Sequence, residues 1–165
     1  MSHPITPCIW MNGTAEEAAN FYVALFDDAR IDTITRYTAD QLFPAPFEPG
    51  TAMLVNFTIN GQTFAALNGG PEFPQTEAVS FVVPVDTQDQ LDRYWTALIA
   101  DGGSESMCGW CKDKYGVSWQ VVPAGLDAMQ AHGSKAQNER MWRAIFQMRK
   151  LDIAVLTAAY EGEAA

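Results

Sequence analysis

Ala19-Asn20-Phe21-Tyr22-Val23-Ala24-Leu25-Phe26 and Asp92-Arg93-Tyr94-Trp95-Thr96-Ala97-Leu98-Ile99 share one pattern: an aromatic pair, a variable residue, then Ala-Leu and an apolar residue. Both octets lie in stretches of helical periodicity, with Ala18, Phe21, Tyr22, Leu25 and Phe26 on one face of the first. Leu91, Tyr94, Trp95, Leu98 and Ile99 form the equivalent stripe of the second. Working outward, strand-like segments flank the two helices in the same order. Ile5 to Met11 precedes the first helix and Ile31 to Thr38 follows it; Val79 to Val85 precedes the second, and a strand near Glu105 to Cys111 follows. Each set ends in a further strand, Gln62 to Asn68 in the first and Val117 to Val122 in the second. An internal repeat accounts for this better than coincidence. The expectation is an α+β domain, residues 1–125, of two β-α-β-β-β modules (about 5–70 and 78–123), with a helical extension over 126–165.

Turn chemistry supports the boundaries. Asn60-Gly61 supplies the two left-handed residues of a tight hairpin between Met53–Ile59, which alternates at period two, and Gln62–Asn68. Thr14 with Glu17 three residues on reads as a capping box, and Asp86-Thr87 caps the second helix. Gly102-Gly103 stops that helix. Asp113 to Gly116 reads as a turn in which the Asp carboxylate caps backbone N–H groups. Ala39 to Gly50 carries three prolines and reads as a loop long enough to be a lid. The tail from Lys135 to Met148 is helical, with Met141, Ala144, Ile145 and Met148 on one face, and a shorter helix follows between Leu151 and Tyr160. That apolar stripe is an expected packing surface across the domain or between subunits.

Composition narrows the function. The chain has 165 residues, 48% of them hydrophobic and 12% aromatic, enough for a proper core and against disorder. Its net charge is −10, which opposes nucleic acid and anionic membranes as partners. No basic n-region with an apolar h-region opens the chain, and no apolar run approaches the roughly 20 residues of a membrane span. Three cysteines (Cys8, Cys108, Cys111) are too few and too odd in number for a disulfide framework, so cytoplasmic residence with reduced thiols is expected.

The run Cys108-Gly109-Trp110-Cys111-Lys112-Asp113-Lys114-Tyr115-Gly116-Val117-Ser118-Trp119-Gln120-Val121-Val122-Pro123 resembles the signature of the PhnB-like family. Ile5-Thr6-Pro7-Cys8-Ile9-Trp10, Leu67-Asn68-Gly69-Gly70-Pro71 and Met148-Arg149-Lys150-Leu151-Asp152-Ile153 resemble it too. The resemblance implies the vicinal-oxygen-chelate superfamily of glyoxalases, extradiol dioxygenases and bleomycin-resistance proteins. It implies a curved mixed sheet of eight strands around a pocket, and a homodimer. It also brings the family's ubiquinone-demethyl methyltransferase label, although no glycine-rich strand-to-helix loop for a methyl-donor nucleotide is present. Fold kinship fixes no reaction.

Metalloenzymes of that superfamily place one His, Gln or Glu on each of four strands. In this chain those positions read as Pro7, Ala66 or Asn68, Ala78 or Val79, and Gln120. One neutral amide does not hold a catalytic metal, and the two histidines, His3 and His132, lie off the repeat's strands. No metal and no cofactor are expected. The Cys108-Gly109-Trp110-Cys111 spacing matches redox pairs and zinc half-sites. It lies in a strand segment rather than at a helix N-terminus, which favours a structural or pocket-lining role.

By strand parity Trp119 joins Val121 in the core, so Gln120 and Ser118 face the cavity. Gln120 there binds a ligand or a neighbouring side chain. Lys112 projects towards a ligand anion or stays in the turn, and Asn68 lines the pocket or caps a strand end before Gly69-Gly70. The candidate ligand-binding set is Gln120, Ser118, Asn68, Trp110, Lys112 and Cys108; catalytic residues are not assigned. The expected function is metal-free binding of a small, partly aromatic molecule. The alternatives are a metal-dependent lyase, isomerase or dioxygenase, and a methyltransferase.

Overall fold

A computed structural model of the chain describes residues 5–40 and 47–163. His3 and residues 41–46 of the expected lid lie outside the described residues. The chain divides into two compact units, Met1–Gln75 and Thr76–Ala165.

The first unit is one β-α-β-β-β module: β1 (Cys8–Met11), α1 (Ala15–Leu25), β2 (Ala29–Arg36), β3 (Ala52–Ile59) and β4 (Gln62–Asn68). Its mixed sheet has the order β1-β4-β3-β2, with β1 parallel to β4 and the other pairs antiparallel. The β3–β4 turn places Asn60 at φ 48° and Gly61 at φ 79°, the paired left-handed conformation the Asn-Gly signal requires. Ile9, Val55 and Ala66 share one row of the sheet, with Phe57 and Phe64 in the next, and the Tyr22 ring of α1 packs on Phe57 at 5.9 Å between centroids. All of these are buried.

The start of α1 differs from the expectation. Thr14 makes no side-chain cap; its hydroxyl instead reaches Met11 Sδ at 3.7 Å. Asn68 Oδ1, 53 residues downstream, accepts the Ala15 N–H at 3.0 Å. The orphan donor of the first helical turn is therefore satisfied by tertiary structure.

The second unit repeats the order with β5 (Phe81–Val85), α2 (Gln88–Ile99), a 3₁₀ turn (Ala100–Gly102), β6 (Ser104–Glu105), β7 (Trp110–Lys112) and β8 (Ser118–Pro123). The sheet order β5-β8-β7-β6 mirrors the first, again with the outer pair β5–β8 parallel. Here the helix cap is local as expected: Thr87 accepts the Gln90 N–H. The expected strand Glu105–Cys111 is in fact two short strands. Cys108 (φ 61°) and Gly109 (φ 83°) reverse the chain between them, and a Cβ at Gly109 would meet the Val121 carbonyl at 2.9 Å.

Three helices follow, α3 (Leu126–His132), α4 (Lys135–Ile145) and α5 (Ile153–Glu161); the first was not legible in the sequence. Ser134 and Gln137 close a reciprocal capping box on α4. The tail is tied to its own module. Cys108 and Gly109 donate their N–H groups to the carbonyls of Met148 and Arg149, and Gln88 binds the backbone of Leu151 and Ile153. Met141 and Ile145 are fully buried and α4 packs on α5, so the stripe takes the first of its two expected places, in this chain's own core and not on a subunit surface.

Candidate functional site

The open face of the second sheet, opposite α2, follows from register. Trp119 and Val121 on β8 are buried, with Trp119 paired to Cys111, so residues 118, 120 and 122 point the other way. Gln120 is paired with Val82 on β5 and with Trp110 on β7, which puts these three in one cross-strand row. Ser118 is paired with Lys112 in the next row. Ser80 joins the same surface, because Gln120 Nε2 donates to its hydroxyl at 2.8 Å.

The adjoining loop is held by Asp113, only 3% exposed. Its Oδ1 accepts the N–H groups of Tyr115 and Val117, and its Oδ2 accepts the Trp119 indole N–H at 2.8 Å. This one carboxylate shapes the β7–β8 turn and fixes Trp119 in the core, which leaves Lys112 and Ser118 side by side on the open face. Lys112 Nζ pairs with Glu77 Oε1, whose side chain is 66% exposed. The Lys112 ammonium holds the Glu77 carboxyl below its ordinary range through a side-chain hydrogen bond.

Ser118 is one of two side chains with a buried polar atom left unpaired among the described residues, the other being Asn138 at its Oδ1. Ser118 is 2% exposed, and its Oγ has no hydrogen-bond partner among the described residues. Leaving a hydroxyl buried and unpaired costs about 1–3 kcal/mol. Such a group in a native fold calls for a reason.

Four of the six candidate residues therefore share this face: Gln120, Ser118, Trp110 and Lys112. The other two do not. Asn68 lies on the α1 side of the first sheet, opposite Met11, and both ends of its carboxamide are engaged, Oδ1 by Ala15 and Nδ2 by the Ala52 carbonyl at 2.8 Å. The Tyr37 hydroxyl also donates to the Asn68 carbonyl. Its strand-end role is structural. Cys108 sits in the β6–β7 reversal, half-buried, where its backbone holds the tail. Cys111 is buried on the α2 side, and burial, then the Asp113 charge, pushes its thiol up to about 12. That thiol is kept protonated, the opposite of what a redox pair needs. Two contributors were missed from sequence, Ser80 and Glu77. Ser80, two residues before Val82, meets Gln120 only through the β5–β8 register, and Glu77 lies in the segment ahead of β5.

Each unit can be asked whether it fits the metal that the superfamily's enzymes hold. On the first sheet's open face, β1 offers Cys8 and Trp10 and β4 offers Ala65 and Leu67, in the rows opposite those of Ile9–Ala66 and Met11–Asn68. On the second, β5 offers Val82 and β8 offers Ser118 and Gln120. No imidazole or carboxylate stands on these strand positions, and no group of three His, Cys, Asp or Glu able to hold a metal occurs among the described residues. The residues present do not fit a catalytic divalent ion.

A shallow groove of about 730 Å³ runs along α4 past Trp142, Arg143 and Phe146. It is an open helix surface lined by side chains of both charges.

The family described as 3-demethylubiquinone-9 3-methyltransferase matches residues 3–122, both modules almost entirely. The chain belongs to this family. It is 35% identical to the PhnB protein of Bacillus cereus, with a TM-score of 0.64, covering 73% of this chain and 99% of that one. Protein PA1353 from Pseudomonas aeruginosa is 23% identical, with a TM-score of 0.60 over 74% of this chain and 98% of its own. A variant of the fosfomycin resistance protein FosX from Listeria monocytogenes, solved with Mn(II) and a dihydroxypropylphosphonic acid, shares the fold at 11% identity. Its TM-score is 0.56 over 79% of this chain and 98% of its own. These likenesses place this PhnB-like chain in the vicinal-oxygen-chelate fold. No functionally curated protein matches it. The family match ends before α3, so the helical tail, with the run at residues 148–153, lies outside the matched residues. No helix among the described residues is long and apolar enough to cross a membrane.

Proposed function

We propose that this PhnB-like chain binds a small, partly aromatic molecule on the open face of its second sheet, without a catalytic metal. The observation that carries the reading is the buried, unpartnered Ser118 hydroxyl beside Lys112 and next to the Gln120–Trp110 row. A ligand oxygen or nitrogen in that position removes the desolvation penalty, the Gln120 carboxamide adds a directional contact, and the Trp110 ring offers an aromatic wall. The donor inventory supports the metal-free form, since the strand positions hold Cys8, Trp10, Ala65, Leu67, Val82, Ser118 and the Gln120 amide, with no imidazole or carboxylate among them. Elemental analysis of protein purified without added metal is expected to find far less than one equivalent of any divalent ion. A stoichiometric ion would overturn this reading in favour of a lyase, isomerase or dioxygenase.

The methyl transfer in the family's description gains no support from the strand-to-helix turns. Asn12-Gly13-Thr14 and Asp86-Thr87 are short and carry a single glycine between them. Calorimetry with a methyl-donor nucleoside is expected to show no binding. A homodimer in the cytoplasm is part of the same proposal; elution at the monomer mass on sizing would remove it.

A further inference from the structure

We infer that the occupant of the second sheet's open face is a small planar anion, a carboxylate, enolate or phenolate on an aromatic or conjugated ring, and that Glu77 is its built-in stand-in. The inference rests on the binding reading above and adds its charge and its gate. Lys112 is the one cation in the two rows that carry Ser118, Gln120 and Trp110, and it stands directly opposite Ser118. A carboxylate already sits on its ammonium: Glu77 Oε1 lies 2.5 Å from Nζ. That carboxylate comes from the segment just before β5, and its side chain is 66% exposed. An ion pair whose carboxylate is this exposed is screened by water and weakly held, so a competing anion displaces it readily.

The two oxygens of a ligand carboxylate then find two donors. The Lys112 ammonium replaces one carboxylate with another, and the Ser118 hydroxyl gains the acceptor it now lacks. Ser118 Oγ is shut off from water as the face stands, so a ligand reaches it only when a neighbour moves. Of its cross-strand neighbours, Lys112 is the one whose side chain is anchored to an exposed, replaceable partner. The ring attached to the carboxylate falls towards the adjacent row, where Trp110 and Val82 offer apolar surface around Gln120.

The test is nitrogen-15 NMR titration of the full chain with benzoate and, separately, with benzamide, its neutral counterpart. The readouts are the Trp110 indole and Gln120 side-chain amide signals. Benzoate is expected to shift both signals. Glu77→Gln, an exposed and structurally mild change, is expected to tighten benzoate by roughly two- to fivefold. Lys112→Met is expected to weaken it by at least about tenfold, while benzamide responds to neither variant. Equal binding of both probes, unmoved by Glu77→Gln and Lys112→Met, would overturn the anionic assignment and leave the small-molecule reading standing. Spectra in which neither probe moves either signal, in wild type and in Glu77→Gln alike, would overturn both.

Discussion

The two modules share one chain path but treat their buried polar side chains in opposite ways. In the first, Asn68 at the end of β4 is buried at 1% exposure and both ends of its carboxamide are satisfied, capping α1 and holding Ala52. In the second, Ser118 on β8 is buried at 2% exposure and satisfied by nothing among the described residues. The helices show the matching contrast. Helix α1 is capped from a distant strand, β4, whereas α2 is capped by the adjacent Thr87, so β8, the second module's counterpart of β4, is free of that structural duty. A buried polar group with every partner supplied belongs to the architecture; the one left without a partner is what the proposed ligand reading rests on.

The largest expected effect breaks the first module. Asn68→Ala strands the Ala15 N–H and the Ala52 carbonyl together, and urea denaturation is expected to show a loss of about 2–4 kcal/mol. Thr87→Ala removes only a local cap at an exposed helix start, and the same measurement should show about 1 kcal/mol. A larger loss for Thr87→Ala than for Asn68→Ala would reverse the assignment of distant and local capping. Ser118→Ala costs least: it deletes a buried hydroxyl that holds nothing and lifts its desolvation penalty, so stability is expected to hold level or rise, by up to about 1–3 kcal/mol.

Much of this contrast was legible from the residues, because its signals are local. The aromatic-pair octets, the Asn60-Gly61 turn, the Thr87 cap and the Asp113 loop each depend on neighbours within a few positions, and each is found where the pattern puts it. Parity on β8 likewise separated Trp119 and Val121 from Ser118 and Gln120. What escaped depends on partners far along the chain. Thr14 and Glu17 read as a capping box, yet the cap is supplied by Asn68, and no local rule announces a donor–acceptor match across 53 residues. The break at Cys108-Gly109 was hidden because a positive φ at Cys is stabilised here by the tail carbonyl of Met148. Glu77 lies outside any periodic segment, and only the folded sheet brings it to Lys112. The Met141–Ile145 stripe was correctly apolar, but periodicity does not say which surface it meets; it is buried in its own unit.

The central claim is that Ser118 serves a ligand and not the fold. Urea denaturation of wild type and Ser118→Ala, each with and without saturating benzoate, tests it in one set of curves. The account predicts a Ser118→Ala midpoint at or above wild type without benzoate, and a benzoate-dependent rise for wild type that is much reduced in Ser118→Ala, since a ligand stabilises only the state that binds it. A Ser118→Ala midpoint well below wild type without benzoate, with the same benzoate response in both proteins, would contradict it.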